Sequence, residues 1–209
     1  TGLLNSDLVT GVTLSSTGSA GAAPVGTYPI IPSAAVGSGL TNYAIAYTNG
    51  TLTVNPSTLT ITADNRVKIY GAGLVLGTTN FSTSGLLNSD VVTGVTLAST
   101  GAATTASVGT YSVVPSAAVG NGLTNYTINY SNGLLTVSAA ALTVTAGNTN
   151  KVYGGALGLG TNNFTVTGLL NSDAVTGVTL SSTGSAGTAP VGTYPIIPSA
   201  AVGSGLINY

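Results

Sequence analysis

The sequence predicts an all-β protein built from tandem small domains, and three observations carry that prediction. The string Gly-Leu-Leu-Asn-Ser-Asp occurs at Gly2–Asp7, Gly85–Asp90 and Gly168–Asp173, an interval of 83 residues each time. Short runs alternate apolar residues with Thr, the period-two pattern of a strand with one buried face. No apolar stripe of helical period persists, so a helix would have no face to bury.

The repeat needs no gaps. Thr1–Tyr43 and Thr167–Tyr209 differ only at Leu8/Ala174, Ala22/Thr188 and Thr41/Ile207. A period of 83 residues is too long for a helical solenoid unit of roughly 20–50 residues and suits a small domain. The boundary is placed near Asn55-Pro56-Ser57-Thr58 and, one period later, Ser138-Ala139-Ala140-Ala141. This phase gives a partial repeat at 1–58, a complete one at 59–141 and a partial one at 142–209. The chain is therefore expected to be a window from a longer array.

The elements of the complete copy follow in order. Leu59-Thr-Ile-Thr-Ala63 puts Leu59, Ile61 and Ala63 on one strand face. Val67–Tyr70 follows a turn at Asp64-Asn65, and Phe81–Ser84 and Val95–Leu97 are short strands. Leu87–Val91 suggests one helical turn. Val108–Val114 reads as a strand that Pro115 ends, because proline has no N–H for a ladder. Tyr126–Tyr130 and Leu134–Val137 flank Asn132-Gly133, the local signal of a type I′ hairpin, and Asn49-Gly50 repeats it before Thr51–Val54. Seven strands at this spacing predict a small Ig-like β-sandwich, with a mostly-β, β-grasp-like domain as the alternative.

Composition narrows the function. The chain lacks His, Cys, Met, Trp, Glu and Gln, and holds four Asp and three Lys or Arg. General acid–base catalysis and hydroxyl nucleophiles need a tuned base, and catalytic zinc needs clustered ligands. No catalytic residue, metal site or cofactor is expected, and the chain is not expected to be an enzyme. With a net charge of −1 and no basic patch, nucleic acid is not an expected partner. Mean hydropathy is +0.49, yet polar residues or Gly break every apolar stretch well short of the ~18–20 residues a spanning helix needs. No membrane insertion is expected in this segment. The lack of Cys leaves no disulfide framework, which fits a fibre stabilised by many small domains.

Several residues recur from copy to copy. Asp7, Asp90 and Asp173 follow Asn-Ser each time, and each reads as a turn or helix cap accepting backbone N–H groups. Lys68 and Lys151 precede Ile/Val-Tyr-Gly and read as solvated edge-strand charges. Tyr28, Tyr43, Tyr70, Tyr111, Tyr126, Tyr153 and Tyr194 are candidates for packing inside domains or at their junctions, having a large apolar body and a polar tip. Asn49, Asn80, Asn125 and Asn163 open Asn-X-Ser/Thr sequons and are candidate glycosylation sites.

One unit strings together Leu59-Thr-Ile-Thr-Ala63, Lys68-Ile-Tyr70-Gly71, Ser84-Gly-Leu86, Val108-Gly-Thr-Tyr111, Asn125-Tyr-Thr-Ile128 and Asn132-Gly-Leu-Leu-Thr-Val137. In that order and spacing it resembles the MBG domain of the YGX type, over essentially the whole chain. The resemblance implies tandem repeats of a large bacterial surface protein, often a filamentous-haemagglutinin-like adhesin. It also implies secretion to the cell surface. The expected role is a structural segment of an extracellular fibre or adhesin stalk, partnered by neighbouring repeats and self-associating into filaments. The alternative is a module that binds host or surface glycans through avidity.

Overall fold

The computed structural model describes residues 2–209. Repeat 1 holds β1 (Leu8–Ser15), β2 (Gly26–Ser38) and β3 (Gly50–Val54). Repeat 2 adds β4 (Ser57–Ala63), β5 (Arg66–Ile69), β6 (Phe81–Ser84), β7 (Val91–Ala98), β8 (Gly109–Asn121), β9 (Tyr126–Ser131) and β10 (Gly133–Ser138). Repeat 3 has β11 (Thr143–Ala146), β12 (Phe164–Thr167), β13 (Ala174–Ser181) and β14 (Ile197–Ser204). The only helical segments among the described residues are three-residue 3-10 turns, so the chain is all-β, as expected. No helix in these residues is long and apolar enough to cross a membrane.

The chain folds as two compact units that do not follow the repeats. Unit 1 runs through Thr62 and adds Phe81–Thr96 and Pro115–Ser131; unit 2 comprises Ala63–Asn80, Leu97–Val114 and Asn132–Tyr209. Repeat 2 is thus shared between them.

In unit 1, β2 lies between β1 and β3, antiparallel to both. A second sheet has the order β6-β4-β9, and β4 runs parallel to β9 from Ser57↔Tyr126 to Thr62↔Ser131. Leu59 and Ile61 on β4 have no exposed surface, as the period-two pattern required.

In unit 2, β10 pairs in parallel with β5 and antiparallel with Gly109–Val113 of β8. Leu135 of β10 packs with Ala63, Leu76 and Val113, flanked by Leu74, Leu97, Ala102 and Tyr111. Its neighbour on the same face, Val137, packs with Tyr70 and Ala140. The pairs β11–β12 and β13–β14 are antiparallel.

Three local expectations are corrected. Asn132-Gly133 makes no hairpin: β9 and β10 are not neighbours, because each pairs with a strand from the start of the repeat. Neither residue has a positive φ, which a type I′ turn requires. Gly133 serves a close approach instead, since a Cβ there would lie 2.5 Å from the Ala63 carbonyl oxygen.

Pro115 does not end its strand, for β8 continues to Asn121. Its copy Pro32 explains why. Pro32 faces Leu14 on β1, while the ladder to β3 has already stopped at Ile30↔Gly50. One edge of the strand is free there, so a residue without an N–H costs no hydrogen bond. A bulge follows, with Ala34 at φ 45° and Ala117 at φ 47°, and the Tyr47 and Tyr130 hydroxyls accept the N–H groups of Ala35 and Ala118 (2.9 and 2.8 Å).

Finally, Leu87–Val91 forms no helical turn. Asn88 and Ser89 both have positive φ, 52° and 63°, in a tight turn closed by the Asp90 N–H on the Leu87 carbonyl.

Candidate functional site: the junctions between repeats

The Asn-Ser-Asp loop aims its carboxylate at a tyrosine. The Tyr126 hydroxyl donates to Asp90 Oδ2 at 2.9 Å and accepts from the Leu87 N–H at 2.8 Å. The copies agree, with Tyr43 to Asp7 at 2.9 Å and Tyr209 to Asp173 at 3.0 Å. This corrects the reading of Asp as a cap: the carboxylate side chain ties a tyrosine 36 residues away to the loop. Burial pushes the Tyr126 and Tyr209 hydroxyls above the ordinary tyrosine value, and the adjacent Asp acts in the same direction.

At the boundary of repeats 2 and 3, inside unit 2, a second tyrosine joins this pair. Tyr70 donates its hydroxyl to Asp173 Oδ2 at 2.8 Å. Its ring meets Tyr209 edge to face, centroids 5.7 Å apart and planes at 81°, a favoured aromatic geometry. Leu170 packs over Gly71, where a Cβ would fall 2.5 Å from Leu170 Cδ1. Asn208, 4% exposed, accepts the Val108 N–H on Oδ1 at 3.0 Å, and its carbonyl accepts the Ala140 N–H at 2.9 Å. Asn171 Nδ2 donates to the Thr104 carbonyl at 2.9 Å.

The boundary of repeats 1 and 2, inside unit 1, uses the same contacts. Val25 N–H donates to Asn125 Oδ1 at 3.0 Å, and Asn88 Nδ2 donates to the Gly21 carbonyl at 3.2 Å. Both sit 83 residues before their counterparts at Val108–Asn208 and Asn171–Thr104.

The MBG domain (YGX type) profile matches residues 1–53, 59–136 and 142–209. The chain belongs to the MBG domain family. No curated protein and no solved structure matches it. MBG domains occur in extracellular surface proteins, and the tandem-repeat reading stands.

Within the MBG repeats, Tyr70-Gly71 supplies both the hydroxyl and the bare backbone of the junction. Tyr153 holds the same place in repeat 3 and is 66% exposed. Tyr28, Tyr111 and Tyr194 brace their own repeats. Each donates its hydroxyl to the carbonyl four residues earlier (Pro24, Ser107, Pro190), and each ring lies on Gly18, Gly101 or Gly184, where a Cβ would approach within 2.6 Å.

Lys68 corrects the reading as a solvated charge. It is 8% exposed, and its Nζ donates to the carbonyls of Ala72 (2.9 Å) and Ala103. Burial lowers its pKa below the usual lysine value. Lys151 spans the matching carbonyls of Gly155 and Ala186 at 3.0 and 2.7 Å. The repeated lysine thus ties two loops together.

The sequons divide by environment. Asn49 is exposed. Asn80 and Asn163 use Nδ2, the atom a glycan would take, to bind the carbonyls of Leu76 and Gly147. Asn125 is half-buried in the junction through Oδ1. Sequence reasoning filed Asn125 as a sequon and did not single out Asn208. The available signal was the Asn that precedes Tyr43, Tyr126 and Tyr209 in every repeat.

Proposed function

We propose that the chain is a non-catalytic structural segment of a bacterial extracellular fibre or adhesin stalk, secreted to the cell surface. Its MBG repeats are held at fixed orientation by their junctions, and its chains associate into filaments. The observation that carries this reading is the recurrence of the same backbone-to-Asn contact at Val25–Asn125 and Val108–Asn208. A flexible linker would leave those groups to water, whereas a paired, partly buried contact fixes the joint. Near-absence of charge favours a fibre indifferent to salt and weakens the repulsion that keeps soluble proteins apart. A glycan-binding module would draw on exposed tyrosines, but ten hydroxyls include few that are free of a backbone or carboxylate partner, which favours the stalk.

Because the chain has no Cys, pairs of engineered cysteines can carry spin labels without background. Labels on exposed sites either side of the repeat 2–repeat 3 junction are expected to give one narrow distance distribution. A broad distribution would mean a flexible joint and would end the stalk reading. Filament formation is checked by negative-stain microscopy of concentrated protein.

A further inference from the structure

We propose that Lys68 builds the surface of repeat 2 that receives repeat 3: it holds the two loops bearing the junction contacts at one fixed spacing, and so sets the stiffness of the joint. The inference rests on the stalk reading and names the residue on which that rigidity depends.

Repeat 2 meets repeat 3 through two loops far apart in sequence. The first is Tyr70-Gly71-Ala72, just after β5. The Tyr70 hydroxyl reaches Asp173, and Gly71 leaves room for Leu170. The second is Ala103-Thr104, after β7, where the Thr104 carbonyl accepts Asn171 Nδ2. Leu170, Asn171 and Asp173 belong to a single turn of repeat 3, closed by the Asp173 N–H on the Leu170 carbonyl at 2.9 Å. One turn therefore engages both loops at once, and it fits best when their separation is fixed beforehand.

Lys68 fixes it. Its Nζ donates to the carbonyls of Ala72 and Ala103. Each acceptor is the chain neighbour of a junction contact: Ala72 adjoins Gly71, and Ala103 adjoins Thr104. One backbone bond also ties the loops, from the Leu74 N–H to the Ala102 carbonyl at 3.0 Å. A single bond leaves the loops free to pivot about it. The ammonium supplies a second bridge, nearer in sequence to the junction residues.

Stability alone does not call for a lysine at this place. The side chain is 8% exposed and both of its partners are neutral carbonyls, so a charge leaves water with no carboxylate among its hydrogen-bond partners. An apolar residue fills such a site at lower cost. A charged donor makes the stronger hydrogen bonds, and one ammonium can serve two acceptors. Lys151 repeats the arrangement 83 residues on, with Nζ on the carbonyls of Gly155 and Ala186. These adjoin Gly154 and Gly187, the matches of Gly71 and Thr104. The bridge is thus a feature of the repeat.

Spin labels on Ser112→Cys and Thr179→Cys, both exposed and outside the junction contacts, read the joint in the full chain. The parent should give a single narrow distance peak. Lys68→Met should lose that peak to a broad distribution. Lys151→Met removes the same bridge from loops that take no part in this junction, and should keep the peak. Should Lys68→Met fail to fold, Lys68→Gln takes its place: one bond shorter and uncharged, it can hold at most one of the two carbonyls, and the peak should broaden. A narrow peak in the folded Lys68 variant overturns the proposal and leaves the stalk reading standing. Equal broadening by Lys151→Met overturns it too, since the loss is then a general loosening. A broad distribution in the parent ends both readings.

Discussion

Repeat 2 and the two outer repeats share most of their sequence and differ in how much of it becomes strand. Tyr126–Ser131 is a strand in repeat 2, while the matching 43–48 in repeat 1 is not. Arg66–Ile69 is a strand, while 149–152 in repeat 3 is not. β8 starts at Gly109, but its copy β14 starts only at Ile197, five residues later in register. In repeat 2 each of these segments lies on a ladder partner: β9 on β4, and both β5 and Gly109–Val113 of β8 on β10. Where Leu135 fills the core of repeat 2, the matching residues of repeat 3, among them Leu157, Leu159 and Tyr194, line an open depression of about 810 Å³. In repeat 2, these segments are strands where a partner strand pairs with them.

Substitutions at matched positions sharpen that contrast, the largest at the core. Leu135→Ala on β10 removes a side chain with no exposed surface and should cost about 2–5 kcal/mol in urea melts. Leu52→Ala, its half-buried match on β3, should cost roughly half as much or less, because less buried area is lost. Equal losses would break the comparison.

Next come the junction hydroxyls. Tyr70→Phe strips Asp173 of one of its two tyrosine donors and should destabilise by about 1–2 kcal/mol, while Tyr153→Phe should lie within about 0.5 kcal/mol of the parent. Denaturant midpoints of the two variants decide it.

The smallest effects are alkaline. Burial raises the Tyr126 and Tyr209 hydroxyls above their ordinary 10.0, so the folded chain keeps protons that the unfolded chain releases. Their stabilising contribution is present below pH 10.0 and lost as pH rises through the folded values. Lys68 works oppositely. Its folded pKa lies below 10.5, so stability rises with pH between that folded value and 10.5. Stability of the parent against pH should bend where the two effects cross. Lys68→Met should remove the rising part, and Tyr126→Phe with Tyr209→Phe should remove the fall. A Lys68→Met profile parallel to the parent throughout would show that burial of this lysine has no titratable consequence.

The site was legible in part. Repetition singled out the Asp, the Lys and most of the tyrosines that the structure uses, because each performs the same contact once per repeat. Their partners were hidden. Asp90 meets a tyrosine 36 residues on, Lys68 a carbonyl 35 residues on, and Asn208 an amide 100 residues back. Residue type allows such contacts but cannot select them, since an Asp caps a turn or accepts a phenol with the same oxygens. Asn132-Gly133 shows the same limit: a strong hairpin signal lost to two parallel ladders that begin 69 residues upstream.

From residues alone came the period of 83, the all-β character and the apolar face of Leu59, Ile61 and Ala63, because periodicity and side-chain type act over a few neighbours. Tertiary structure alone decided which strands lie side by side, that Pro115 stays within β8, and that Lys68 and Asn208 are buried. Those outcomes depend on which distant backbone groups find partners, and a hydrogen bond unmade in the interior costs more than any local preference can return.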